Sequence, residues 1–275
     1  MKGMETPRQS DFRRESIEGP LDSAVSFSPE RGGIITSLRL AGTEVLYMEE
    51  DTFKDPSKNV RGGIPLLFPN SGPVEHELFP GLKQHGFART MNSWKSMPTG
   101  GKPQFAERLS DTDATREQYP YPFTLEVGGS LEEDGTFLMY QRATNTAGTD
   151  SAMHMPVAMG LHPYFRVAAA EKENISFQFT GGDVITRDVR VWAKEGGTVS
   201  VDNPGTSMPV HIPSIGTLVL TASPEYRKVW IWSLPDKDFI CIEPVMRDEG
   251  GLVRDPAYVE PGESLTGRFS IRLEK

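Results

Sequence analysis

The sequence predicts an all-β protein, a large antiparallel β-sandwich, and three observations lead there. Short runs of strand-forming residues recur along the chain, separated by clusters of Gly, Pro, Asp and Asn. The clearest runs alternate: Phe123, Leu125 and Val127 share one face while Thr124, Glu126 and Gly128 take the other, a period of two. The 22 prolines and 27 glycines are spread over all 275 residues, and no stretch sustains the 3.6-residue spacing of a long amphipathic helix.

In chain order, the first dozen residues are polar and are expected to be disordered, so residues 1–20 read as a flexible leading segment and 21–275 as a single domain. The expected strands follow: 33–40, 104–110, 123–130, 136–145, 151–161, 175–180, 217–222, 228–234, 239–243 and 264–273. Within 228–234, Val229, Ile231 and Ser233 oppose Trp230 and Trp232. Glu171-Lys172-Glu173 and Lys194-Glu195-Gly196-Gly197 read as solvated turns. The chain shows neither an internal repeat nor an interdomain linker.

A formal charge of −9 argues against a nucleic-acid or acidic-membrane surface, because those need a broad cationic face. Any anionic ligand must be caught locally. With Cys241 as the single cysteine, an intramolecular disulfide and a thiolate metal cluster are both excluded, which suits a reducing compartment. No stretch approaches the roughly 20 apolar residues of a spanning helix. A cytoplasmic monomer without membrane or nucleic-acid partners is expected.

His162 and Glu243 are the first candidates for chemistry. Each precedes a proline after an apolar run, in Gly160-Leu161-His162-Pro163 and Ile240-Cys241-Ile242-Glu243-Pro244. A residue before proline is pushed into extended geometry, which places both side chains at strand ends and suggests a catalytic mouth. Taken singly, either could be a structural residue.

Three further clusters stay open between two readings. In Arg61-Gly62-Gly63-Ile64-Pro65-Leu66-Leu67-Phe68-Pro69 the guanidinium either grips a phosphate or pairs with a carboxylate beside a glycine turn. In Gln84-His85-Gly86-Phe87-Ala88-Arg89, His85 could bond a sugar hydroxyl and Arg89 an anion, or the segment could be an ordinary loop. Between Asp183 and Asp188 a carboxylate could accept from sugar hydroxyls or serve local turn chemistry. The five histidines lack metal-ligand spacing, and the chain has no nucleotide-type glycine loop and no nucleophile elbow, so neither metal nor cofactor is expected.

Taken in order, the blocks Arg61–Pro69, Gln84–Arg89, Leu161-His162-Pro163-Tyr164-Phe165 and Cys241-Ile242-Glu243-Pro244 resemble the signature of the aldose 1-epimerase superfamily, and most closely its hexose-6-phosphate mutarotase branch. The resemblance implies a galactose mutarotase-like supersandwich that interconverts the α and β anomers of a hexose 6-phosphate without metal. It implies that Glu243 takes the C1 hydroxyl proton and His162 protonates the ring oxygen. His85 would steady the sugar, Arg61 and Arg89 would form the anion pocket, and Asp188, rather than Asp183, would be the sugar-binding aspartate. The chain departs from the pattern at Asn70-Ser71-Gly72-Pro73, where many relatives are apolar.

The chemistry fits these side chains independently. Opening a hemiacetal ring needs one proton removed and one delivered, which a carboxylate and an imidazolium can do near neutral pH. Their mutual attraction is expected to favour the charged pair. An epimerase of unphosphorylated aldoses would use the same pair without the arginines, and a noncatalytic carbohydrate-binding module would bind sugar without exchanging anomers. A glycosidase would want two flanking carboxylates.

Overall fold

The computed structural model describes residues 11–100 and 104–274. Antiparallel sheets dominate, as expected. An eight-stranded sheet runs, edge to edge, through Ser176–Phe177, Met208–Ile212, Gly216–Ala222, Ser264–Glu274, Phe137–Asn145, Phe123–Leu131, Gln104–Ser110 and Lys95–Ser96. A second, six-stranded sheet orders Gly197–Asp202, Lys228–Ser233, Phe239–Val245, Gly160–Leu161 and Leu66–Leu67, with Tyr164–Arg166 also pairing with Phe239–Val245. A four-stranded sheet (Glu15–Gly19, Ser23–Ser28, Ile34–Leu40, Thr43–Glu44) and the pair Met155–Val157 with Ala257–Val259 complete the set.

The sheets meet in one hydrophobic cluster. It joins Leu125, Val127 and Phe269 of the large sheet to Leu161, Ile231 and Ile242 of the six-stranded one and to Val25 and Leu38 of the third. Phe68 lies among aromatic neighbours there, 4.9 Å from Phe123 and 5.7 Å from Tyr119 between ring centroids. Cutting such a ring back to alanine costs about 3–5 kcal/mol. That anchoring matters because Phe68 carries the turn that holds His85 and Arg89.

Three expectations change. Residues 15–19 pair with Ser23–Ser28, and Phe12 packs edge-on against Phe53, so the ordered part starts well before residue 21. Residues 1–10, the rest of the expected flexible segment, lie outside the described residues. The glycine-rich turn expected around Asp183 is instead the start of a 14-residue helix, Gly182–Glu195. Its buried Ile185 and Val189, with Trp192 packed against the core, repeat at helical spacing. Finally, Lys172 is buried rather than solvated: its ammonium donates to the Leu234 carbonyl at 2.5 Å and lies over the Phe239 ring.

Strand Gln104–Ser110 turns Phe105, Glu107 and Leu109 inward. Glu107 is fully buried and neither carboxyl oxygen has a partner. Burial, with repulsion from Glu15, pushes its pKa up to about 8. Gly33 allows this packing: a Cβ there would stand 2.8 Å from the Trp94 ring and 2.9 Å from the Glu107 carboxylate.

Candidate active site

Strand Phe239–Val245 is buried along its whole length and forms the spine of the site. Pro163 splits the chain beside it into two short strands, with Gly160 paired to Val245 and Tyr164 to Cys241. The register on either side sets His162 opposite Glu243, so the two side chains emerge as cross-strand neighbours. The proline signal therefore located both residues, with one correction. Glu243 lies inside its strand, where Pro244 pairs with Val229, and only His162 sits at a break.

The two groups share a cavity of about 790 Å³. His162 Nε2 is 3.5 Å from Glu243 Oε1. The His162 ring stacks on Tyr164 at 4.7 Å and 6°, meets Trp232 edge-on at 5.9 Å, and stands 5.3 Å from the ring of His85. These contacts fix the imidazole's plane.

His85 and Arg89 arrive on a turn pressed against residues 68–71. His85 has φ +70, and its N–H donates to the Ser71 carbonyl at 3.1 Å. The next residue, Gly86, is also left-handed at φ +65, and a Cβ there would fall 1.9 Å from the Phe68 carbonyl oxygen. Only glycine lets the turn close this tightly.

Burial dominates the electrostatics. It lowers His162 well below its usual 6.5, helped by the positive fields of His85 and Arg89, and it raises Glu243 well above 4.5 against the pull of Arg89. His85 is lowered to about 4 by burial and by Arg89. The expected charged pair is thus disfavoured: although Nε2 and Oε1 stand 3.5 Å apart, desolvation is the largest effect on both groups and favours the neutral imidazole and the protonated carboxyl. Nδ1 of both histidines, Nε of Arg89 and Oε2 of Glu243 are buried without partners. Several orphaned polar atoms around one cavity mark a place built for a polar ligand.

The model of the family described as Aldose 1-epimerase matches residues 22–213. The chain belongs to the aldose 1-epimerase family. Two relatives, from Escherichia coli (strain K12) and Cenchrus ciliaris, both bear the name "Putative glucose-6-phosphate 1-epimerase". The first is 30% identical over 53% of this chain and 46% of its own length, and the second 25% identical over 87% and 78%. The chain thus spans about half the length of the E. coli relative. Among solved structures, the Slr1438 protein of Synechocystis sp. PCC 6803 superposes with a TM-score of 0.81 at 25% identity, covering 99% of both chains. A galactose mutarotase related enzyme from Lactobacillus acidophilus reaches 0.71 at 18% identity, over 96% of this chain and 98% of its own, which shows the shared galactose mutarotase-like fold.

Four of the six residues singled out from sequence meet in the cavity: His85, Arg89, His162 and Glu243. Arg61 does not line it. Its guanidinium reaches toward Glu49 at 3.7 Å, and the neighbouring glycines, at φ +139 and +64, pack against Met48 and Ile35, as the carboxylate reading of that cluster anticipates. It is close enough to act electrostatically on the Tyr164 phenol and the Cys241 thiol. Asp188 is also away from the cavity, midway along helix Gly182–Glu195, with Arg187 donating to it at 3.3 Å. The sugar-binding role that the resemblance implied for Asp188 therefore finds no support in its position.

Sequence reasoning missed Asp248, Trp230 and Ser200, which line the far side. Asp248 accepts from Trp230 Nε1 at 2.8 Å and from Ser200 Oγ at 2.5 Å. Burial alone would raise its pKa, but these bonds and Lys228 outweigh it and hold the carboxylate below the usual range. The available signal was alternation: Trp230 pairs with Glu243 and Trp232 with Cys241, so the tryptophans share the face that carries Glu243.

Proposed function

We propose that this protein interconverts the α and β anomers of a hexose 6-phosphate, as a glucose 6-phosphate 1-epimerase. The observation that carries the reading is the imidazole of His162 facing the carboxyl of Glu243 at 3.5 Å in the same cavity as the buried Arg89. Glu243, as carboxylate, takes the proton of the C1 hydroxyl while His162, as imidazolium, gives one to the ring oxygen. The bond from C1 to the ring oxygen breaks, C1 becomes an aldehyde carbon, rotation about C1–C2 turns it over, and the reverse transfers close the ring. The protons balance at each stage.

The neutral pair that burial favours is a tautomer of this reactive pair, since the two forms hold the same number of protons. Sugar hydroxyls that donate to Glu243 replace the solvation the carboxylate lost on folding, which favours moving the proton to His162. Arg89, with its Nε unpartnered, is the first contact for the phosphate, and an anion there cancels its repulsion of a charged His162. Arg61 joins the phosphate only by leaving Glu49.

The acidic residues Asp248 and Glu249 and the indoles of Trp230 and Trp232 also line the cavity and would suit an uncharged aldose. NMR magnetisation exchange between the anomers of glucose 6-phosphate, compared with glucose and galactose, separates the two readings. Faster exchange with the phosphorylated sugar alone is the expected result. Acceleration of free sugars only would remove the phosphate from the assignment, and none with any of the three would remove this catalysis.

A further inference from the structure

The proposed reaction leaves one buried side chain at the site unused. Cys241 lies two residues before Glu243 on the same face of strand Phe239–Val245 and is fully buried between Tyr164 and Phe239. Its Sγ, a ring nitrogen of His162 and a carboxylate oxygen of Glu243 all lie within 4.8 Å of one another. A thiolate, an imidazole and a carboxylate form a ligand set suited to a borderline divalent cation such as zinc, and unlike the oxygen shells that magnesium or calcium prefer.

We propose that these three side chains form a zinc-type binding site whose occupation blocks the epimerase cavity. In a tetrahedral zinc site, ligand atoms stand roughly 3.4–3.6 Å apart. His162 Nε2 and Glu243 Oε1 already meet that requirement at 3.5 Å, and the Cys241 sulfur, within 4.8 Å of a ligand atom of each, closes in by side-chain rotation. Both residues are at least nine-tenths buried, and each keeps an atom without a partner, Nδ1 on one and Oε2 on the other. As the metal binds, the Cys241 thiol and the protonated Glu243 carboxyl each give a proton to solvent, and His162 binds as the neutral imidazole. The fourth position opens toward the cavity and is filled by water.

The cation acts as an inhibitor and not as a cofactor, because it occupies the two groups that would move protons. Metal binding itself stands on the side-chain chemistry and does not depend on which sugar is the substrate, so binding and turnover are read separately. Cobalt(II) titrated into the untagged full chain should bind once and produce a thiolate-to-cobalt charge-transfer band, which zinc then abolishes. Cys241→Ser should lose the band. If the chain is an epimerase, zinc should also suppress anomer exchange competitively with sugar, a chelator should restore it, and Cys241→Ser should need at least about tenfold more zinc for the same inhibition. A wild-type chain that gives no thiolate band with cobalt overturns the proposal whatever the fate of the variant. So does a folded Cys241→Ser chain that binds zinc as tightly as the wild type.

Discussion

Replacing Glu107 by glutamine should stabilise the protein progressively as the pH rises from 5 to 8. In the folded state this carboxyl keeps its proton up to about pH 8, whereas in the unfolded chain it releases it near 4.5. Its folded pKa is raised, so the stability it contributes is complete below 4.5 and is lost as the pH climbs toward 8. The loss is about 1.4 kcal/mol per pH unit between the two pKa values, which amounts to about 3 kcal/mol at pH 7 and, as the folded carboxyl itself begins to ionise, about 4 kcal/mol at pH 8. Glutamine has the same shape without the titration. Its own buried amide adds an offset that does not vary with pH, so the slope carries the test. Urea unfolding of both proteins at half-unit pH steps gives the difference directly, and other titrating groups cancel in it. Parallel stability curves would refute the argument and show that Glu107 is ionised or hydrated in the fold.

The remaining expectations concern the cavity. Glu243→Gln and His162→Ala, in chains that circular dichroism shows to be folded, should each slow anomer exchange by about 10²- to 10⁴-fold, as read by the same NMR experiment, and near-normal exchange in either would remove that residue from the reaction. Arg89→Ala should raise KM for glucose 6-phosphate by roughly 10- to 150-fold, the worth of one buried charge-assisted hydrogen bond, with a much smaller effect on free glucose. Gly86→Ala should cost about 1–3 kcal/mol from left-handed strain alone, before its contact with the Phe68 carbonyl is counted, and thermal unfolding together with turnover will show it. For His85, lowered to about 4 when folded, the unfolded chain takes up the proton first as pH falls. Stability should therefore drop by about 3 kcal/mol between pH 6.5 and 4, and His85→Gln should flatten that part of the curve.

Much of the site was legible in the sequence because proline and glycine mark backbone geometry locally. Pro163 and Pro244 flagged His162 and Glu243, and Gly86 flagged the turn that carries His85 and Arg89. What joins them is a strand register, and register depends on pairing between segments some eighty residues apart, which no local pattern states. Arg61 went astray for a related reason: Glu49, its partner, lies in a different segment whose approach no motif announces. Helix Gly182–Glu195 was hidden by its two leading glycines and its β-branched Val184, Ile185, Thr186, Val189 and Val191, which favour strands by intrinsic propensity. Only the periodic burial of Ile185 and Val189 reveals it. Protonation states were the least accessible of all. The charged His162–Glu243 pair follows from attraction alone, and its reversal requires knowing how completely the pair is removed from water.

Two of the chain's four tryptophans, Trp230 and Trp232, line the cavity, while Trp94 and Trp192 do not. The molecule therefore carries its own optical probe of occupancy. A ligand that enters must alter the polarity around two indoles and leave the other two as an internal reference, so emission from the unlabelled protein can follow filling and emptying in real time. Phenylalanine at each of the four positions in turn would assign the signal.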